Sequence, residues 1–142
     1  MVIYALVLII VIVVIDQMTK SYARKNLKGK RLDKGFFQLS LVKNRGAFRG
    51  LLKKHPVVLI GIQVVGIILI GIFILINLNK KDKWLILGLS CLFGGAIGNL
   101  IDRMRNGFVT DFFAIKLTKN LYYNLADMFI FIGAIITVLR QK

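Results

Sequence analysis

G-G-A-I-G-N-L-I-D-R-M-R-N-G-F-V-T-D-F-F-A-I, residues 94–115, begins as an apolar helix rich in small residues and ends in a burst of Asn, Asp and Arg. The dipeptide Asn106-Gly107 is a turn signal, and Phe108-Val109-Thr110-Asp111-Phe112 after it reads as a short strand or extended edge. Asp111 follows Asp102 by nine residues. It is read as one half of a catalytic pair whose partner comes from elsewhere in the chain.

The 142 residues are 57% hydrophobic, with mean hydropathy +0.74 and one proline, which places the chain in the membrane class as one domain, residues 1–142. A net charge of +15 comes from 21 Lys and Arg against six acids, all of them Asp. On a soluble protein that excess would suggest nucleic acid. Here the basic residues flank apolar runs and no nucleic-acid motif accompanies them, so membrane phospholipids are the expected partner and nucleic acid is not. With no Glu, one His (His55) and one Cys (Cys91), a zinc site or a Ser-His or Cys-His nucleophile can hardly be assembled. Hydrolysis would have to use Asp, with no metal and no cofactor.

Outward from the opening segment, four apolar stretches are read as transmembrane helices, over about 2–23, 56–78, 84–101 and 122–139. No basic segment precedes the first and no small-residue cleavage site follows it, which reads as a retained span and not a signal peptide. Residues 24–55 and 102–121 form a basic platform on the membrane surface. Phe37 to Leu41 alternates like a half-buried strand, Lys43 to Gly46 makes a turn, and 47–52 reads as a short interfacial helix. Asp33 and Asp82 read as solvated loop residues. The fold class is therefore an all-α polytopic membrane protein carrying a small β platform. Gly94 and Gly98 are a small-xxx-small pair that lets another helix approach closely, and Gln63 is the one strongly polar member of its span, an expected helix-to-helix contact.

Depth along each helix follows from a rise of about 1.5 Å per residue. Asp16 lies roughly 21 Å from the termini side, Asn99 roughly 22 Å and Asp127 roughly 18 Å, so polar groups from three spans share one level. Asp16 and Lys20 sit i, i+4 with the acid first, the favourable order for an ion pair on one face. Asn124 and Asp127 are i, i+3 and face the same way, as do Asn99 and Arg103. Two carboxylates in a low-dielectric cleft cannot both ionise, so one of Asp111 and Asp127 keeps its proton while the other acts as base. Asp102 with Asp127 is the alternative pairing.

The segments D-Q-M-T-K at 16–20, K-N-R-G-A-F at 43–48, G-N-L-I-D-R-M-R-N-G-F-V-T-D-F at 98–112 and Y-N-L-A-D at 123–127 together resemble bacterial lipoprotein signal peptidase, also called signal peptidase II. The resemblance covers the four-span layout and every motif in order. It implies a membrane aspartyl endopeptidase that removes the signal peptide from diacylglyceryl-modified prolipoproteins, cutting just before the lipidated cysteine. Position by position it assigns Asp111 and Asp127 to the catalytic pair, and Asp16, Lys20, Asn44, Gly46, Asn99, Asp102, Arg103, Asn124 and Ala126 to supporting positions around the cleft. Arg45 and the single Ala47 depart from the family's pattern. The resemblance further implies a monomer in the bacterial cytoplasmic membrane, with cytoplasmic termini and a site facing outward.

The charge distribution argues the other way on orientation. Twelve Lys and Arg lie from Lys20 to Lys54 and four from Arg103 to Lys119, against five on the termini side, which by the positive-inside rule would make the platform cytoplasmic. The competing function class is a small ion or proton transporter or channel subunit. It predicts polar residues stepping through the full membrane thickness, whereas the termini-side halves of the four stretches are nearly free of charge. A non-catalytic assembly protein predicts tolerance of substitution at Asp111.

Overall fold

The computed structural model describes residues 1–47, 51–80, 82–116 and 121–140. Its elements in order are α1 (Val2–Asn26), β1 (Arg31–Lys34), β2 (Phe37–Asn44), α2 (Pro56–Asn77), α3 (Lys83–Asn106), β3 (Val109–Ile115), β4 (Tyr122–Tyr123) and α4 (Leu125–Arg140). Helices α1, α2 and α3 are long and apolar enough to cross a bilayer. Helix α4 has 16 residues and rises about 24 Å.

Three helix bounds differ from the sequence reading, each for a local reason. Helix α3 does not stop at Ile101 but carries Asp102 and Arg103 inside its last turns. It ends only where Gly107, at φ 73°, takes the left-handed conformation that closes a helix. Helix α4 begins at Leu125 and not at Tyr122, because Tyr122 and Tyr123 are drawn into the sheet beside β3. Helix α1 runs past Ala23 to Asn26. Asp82 is not a solvated loop residue. Its side chain caps α3 by accepting from the backbone N–H groups of Trp84 and Leu85, and Arg140 Nε lies 3.2 Å from its other oxygen. The interfacial helix expected over 47–52 falls largely outside the described residues; Leu51 to Lys54 form a turn.

The sheet is antiparallel in the order β1-β2-β3-β4. Strand β2 extends the expected 37–41 segment to Asn44, and β3 runs from Val109 to Ile115 where 108–112 was expected. Between the Leu39↔Phe113 and Val42↔Asp111 pairs, Ser40 and Leu41 of β2 face Phe112 alone, which is a β-bulge.

Helix α3 is the hub, packed against α1, α2 and α4, and its glycines make two separate contact faces. Gly94 and Gly98 lie against Ile12 and Asp16 of α1, so the expected close approach occurs there. Gly88 and Gly95 lie against α4, where Gly133 answers Gly88 while Ala126 and Ile130 face Gly95. A Cβ on Gly95 would come 2.6 Å from the Ala126 carbonyl oxygen, and one on Gly98 would come 2.5 Å from Asp16 Oδ2. Outward, the helices present apolar side chains such as Ile3, Val57 and Leu75. Inward, Asp16, Lys20, Asn77, Asn99, Asp102 and Asn124 are buried. Apolar exterior with polar interior is the arrangement lipid demands.

Gly95→Ala is therefore expected to lower the thermal midpoint in detergent by the equivalent of about 1–3 kcal/mol, the usual cost of overpacking. Gly61→Ala, which meets nothing within 4 Å, is expected to be neutral or mildly stabilising. Equal midpoints for the two variants would contradict the close packing of α3 on α4.

Candidate active site

Where α1, α3 and α4 meet β2 and β3, one hydrogen-bond network joins their polar side chains. Lys20 follows Asp16 by one helical turn, and its Nζ lies 2.7 Å from Asp16 Oδ2 with both side chains fully buried. Burial of such a pair is tolerable only when the remaining donors and acceptors are also satisfied. Asp16 Oδ1 accepts from the Ala126 N–H at 3.0 Å, and Lys20 Nζ donates also to Asn99 Oδ1 at 2.9 Å. Gln17 Nε2 donates to the Gly98 carbonyl at 3.0 Å. One turn of α1 thus ties down both α3 and α4.

Asn124 caps α4: its carbonyl accepts from the Met128 N–H, and its Oδ1 accepts from the Asp127 N–H at 3.0 Å. Asp127 answers by accepting the Asn124 N–H on Oδ2 at 3.2 Å. This is a reciprocal capping box with Asp in place of the usual Glu. Asp127 Oδ1 accepts from Asn99 Nδ2 at 2.8 Å. Asn124 Nδ2 donates to Asp111 Oδ1 at 2.7 Å and to Asn99 Oδ1 at 3.1 Å. The second oxygen of Asp111 accepts from Asn44 Nδ2 at 3.0 Å, while Asn44 Oδ1 is held by the Gly46 N–H at 3.1 Å.

The polarity of this network is forced. Lys20 can only donate, so Asn99 must turn its oxygen to it and its amide group to Asp127. The backbone N–H groups of Asp127 and Gly46 likewise fix Asn124 and Asn44, whose amide groups then face Asp111. Each of the four carboxylate oxygens therefore receives a donor from the protein. Asp111 and Asp127 wall one cavity of about 760 Å³ together with Asn44, Asn99, Arg103 and Tyr123, and it continues along Ile130, Phe131 and Ile132 of α4.

Arg103 brings a positive charge to the cavity wall and is steered from both sides. Its Nη1 donates to Gln63 Oε1 and its Nη2 to the Gly46 carbonyl, both at 2.9 Å, and Gln63 Nε2 donates to the Ala96 carbonyl at 3.0 Å. Gln63 thus makes the expected contact between helices and orients Arg103 as well, which its lone position in an apolar span did not reveal. Asp102 does not line the cavity. Its Oδ1 accepts from Arg24 and Asn106, each at 3.0 Å, and its Oδ2 from the Thr110 N–H at 2.7 Å. Spent on three donors, it is not placed to pair with Asp127. Arg24, at the start of the basic platform read from the sequence, points inward to Asp102, while Lys25 and Lys28 are exposed. Among the described residues, no three His, Cys, Asp or Glu side chains come together as a metal site.

Burial pushes the Asp111 carboxyl up from 3.8 to about 6, and the charge of Asp127 pushes the same way. The hydrogen bonds from Asn44 and Asn124 and the charge of Lys20 pull it back.

Comparisons with known proteins agree with one another. The family model for signal peptidase (SPase) II matches residues 8–141. The lipoprotein signal peptidase of Caldanaerobacter subterraneus subsp. tengcongensis is 42% identical over 136 residues, covering 93% of this chain and 91% of the relative. That of Moorella thermoacetica is 38% identical over 136 residues, covering 92% and 87%. Among solved structures, a bacterial membrane enzyme determined by the in meso method at 2.3 Å resolution superposes with a TM-score of 0.82 at 25% identity, covering 97% of this chain and 87% of that one.

A raised folded-state value means that the stability contributed by protonated Asp111 is complete below about 3.8 and is lost as pH rises through about 6. The carboxyl carbon of Asp111, followed by NMR in protein labelled at Asp, is expected to titrate with a midpoint near 6. Asn44→Ala, which removes a bond to the ionised form, should move that midpoint upward. A downward move, or none, would show that Asn44 does not stabilise the carboxylate.

Proposed function

The chain belongs to the signal peptidase II family, and from that premise we propose that it is an aspartic endopeptidase removing signal peptides from diacylglyceryl-modified prolipoproteins immediately before the lipidated cysteine. The observation that carries this reading is the placement of Asp111 and Asp127 on one cavity, linked through Asn124 and Asn99, with every carboxylate oxygen already held by a donor. Nothing among the relatives supports an ion pathway, and the buried charged side chains Asp16, Lys20, Asp102 and Asp111 gather where α1 and α3 meet β3.

Burial favours the proton on Asp111, which we take as the acid of the pair, with Asp127 as the base. Asp127 takes a proton from a water held between them as that water attacks the scissile carbonyl. Asp111 donates a hydrogen bond to the oxygen of the tetrahedral gem-diol, and a proton then passes to the departing amine as the C–N bond breaks. The products are a carboxylate on the signal peptide and a free amino group on the lipidated cysteine. Asn99 and Asn124 keep both carboxylates aimed, and Arg103, on the cavity wall, holds the peptide.

In this proposal α4 is the fourth crossing, the termini are cytoplasmic and the sheet lies on the extracytoplasmic side of the bacterial membrane, where its excess of cations meets phospholipid headgroups. The apolar wall of the cavity along α4 leaves the acyl chains of the substrate in lipid while its peptide reaches the aspartates. One chain supplies both carboxylates, so the monomer is sufficient.

Asp111→Asn and Asp127→Asn are each expected to reduce cleavage of a lipidated prolipoprotein peptide by about 10²–10⁴-fold or more, with the protein still accumulating in the membrane. Asp102→Asn, outside the pair, should retain measurable turnover. Wild-type rates in either of the first two would remove that residue from the chemistry, and equal cleavage of lipidated and unlipidated peptides would contradict the assigned substrate class.

A further inference from the structure

We propose that Arg24 is a positioning residue for Asp111, acting as the pin of a clamp that sets the register of β3. The inference rests on Asp111 being part of the catalytic pair. Strand β3 has two neighbours, and at Asp111 only a short run of β2 pairs with it, Val42, Lys43 and Asn44 facing Asp111, Thr110 and Val109. Strand β4 pairs only with Phe113 and Ala114, beyond that point, and the ladder to β2 is broken by the bulge at Ser40 and Leu41, between the pairs made by Phe113 and Asp111. A strand slipped by one residue turns each side chain to the opposite face, so within the sheet those three pairs alone keep Asp111 on the cavity.

Thr110 reinforces them through contacts outside the sheet. Its side chain lies on the opposite face of β3 from that of Asp111, and it is fully buried. Its N–H reaches Asp102 Oδ2 at 2.7 Å and its Oγ1 accepts from Arg24 Nη1 at 2.9 Å. The same Nη1 donates to Asp102 Oδ1 at 3.0 Å. Helix α1 through Arg24, helix α3 through Asp102 and strand β3 through Thr110 therefore meet at one point, a single residue away from Asp111. Asp102 has none of its surface exposed, and Arg24 is the cation that compensates it. Without the guanidinium, a buried carboxylate would be left to two amide-type donors, and the strand would lose its side-chain tether.

The test uses the full chain in mixed micelles with the lipidated peptide. Arg24→Gln is expected to lower kcat at least tenfold with KM within about twofold of wild type. Arg24→Lys, which keeps the charge on Asp102, should recover part of kcat. Thr110→Val should lower kcat, and adding it to Arg24→Gln should cost little more, because both remove the same tether. Lys25→Gln and Lys28→Gln, equal in charge lost but exposed, should leave kcat unchanged. Amide hydrogen exchange supplies a readout that does not depend on the catalytic assignment: the Thr110 N–H should exchange at least tenfold faster in Arg24→Gln, while amides in α2 stay as protected as in the wild type. Unchanged Thr110 exchange, a loss confined to KM, or equal losses in the Lys25 and Lys28 variants would overturn the clamp. Should Arg24→Gln fail to accumulate, Arg24→Lys and Thr110→Val decide the matter by the same two measurements. Asp111→Asn cleaving normally would instead remove the catalytic pair and leave the exchange result standing.

Discussion

A lysine ammonium sealed from solvent has three protons to place and no way to accept one. From that restriction at Lys20 the rest of the site follows. Asp16 takes one bond and Asn99 another, the amide of Asn99 is thereby oriented, and its NH₂ group is committed to Asp127. Removing one partner of a buried ion pair costs about 3–5 kcal/mol, far more than the rotation of an amide, so the orientation is not free to relax. Backbone N–H groups do the same for Asn124 and Asn44. Two aspartates are thus held by side-chain and backbone donors whose direction is dictated by groups that have no alternative, and neither carboxylate has to be held by a mobile cation.

Much of this was legible in the chain before any coordinates. Uniform helix rise was enough to put Asp16, Asn99 and Asp127 at one depth, and they are joined through Lys20 and Asn99. The i, i+4 spacing of Asp16 and Lys20 carried the ion pair, and the glycine spacing in α3 carried its approach to α1. What could not be read was how the two ends of long segments are stitched together. The capping box of Asn124 and Asp127 had a signal in its three-residue spacing, obscured because the apolar run through Tyr122 suggested that the helix had already begun. Arg24 and Thr110 carried no signal of their roles, and Gln63, expected as a contact between helices, carried none of its hold on Arg103. Each acts through a partner 33 or more residues away, and such contacts are set by packing, not by local pattern. Strand β1 has four exposed residues and no apolar alternation to announce it.

The two glycine faces of α3 explain how so polar a site can lie in an apolar bundle. Close approach at Gly94 and Gly98 on one side, and at Gly88 and Gly95 on the other, brings helix backbones near enough for short side chains to bridge them. Asn and Asp span gaps that Leu-sized spacing would have opened beyond hydrogen-bond reach. The small residues therefore serve the chemistry indirectly, by setting the distances across which amides and carboxylates meet.

The cavity that runs out along Ile130, Phe131 and Ile132 has a kinetic corollary. Phe131 and Ile132 are exposed on the outer side of α4, so encounter with a membrane-held substrate is a search in a plane, and the variable that governs saturation is the number of substrate molecules per lipid. Doubling the amount of bilayer at fixed enzyme and substrate would then dilute the reactants even though the volume of the sample had not changed.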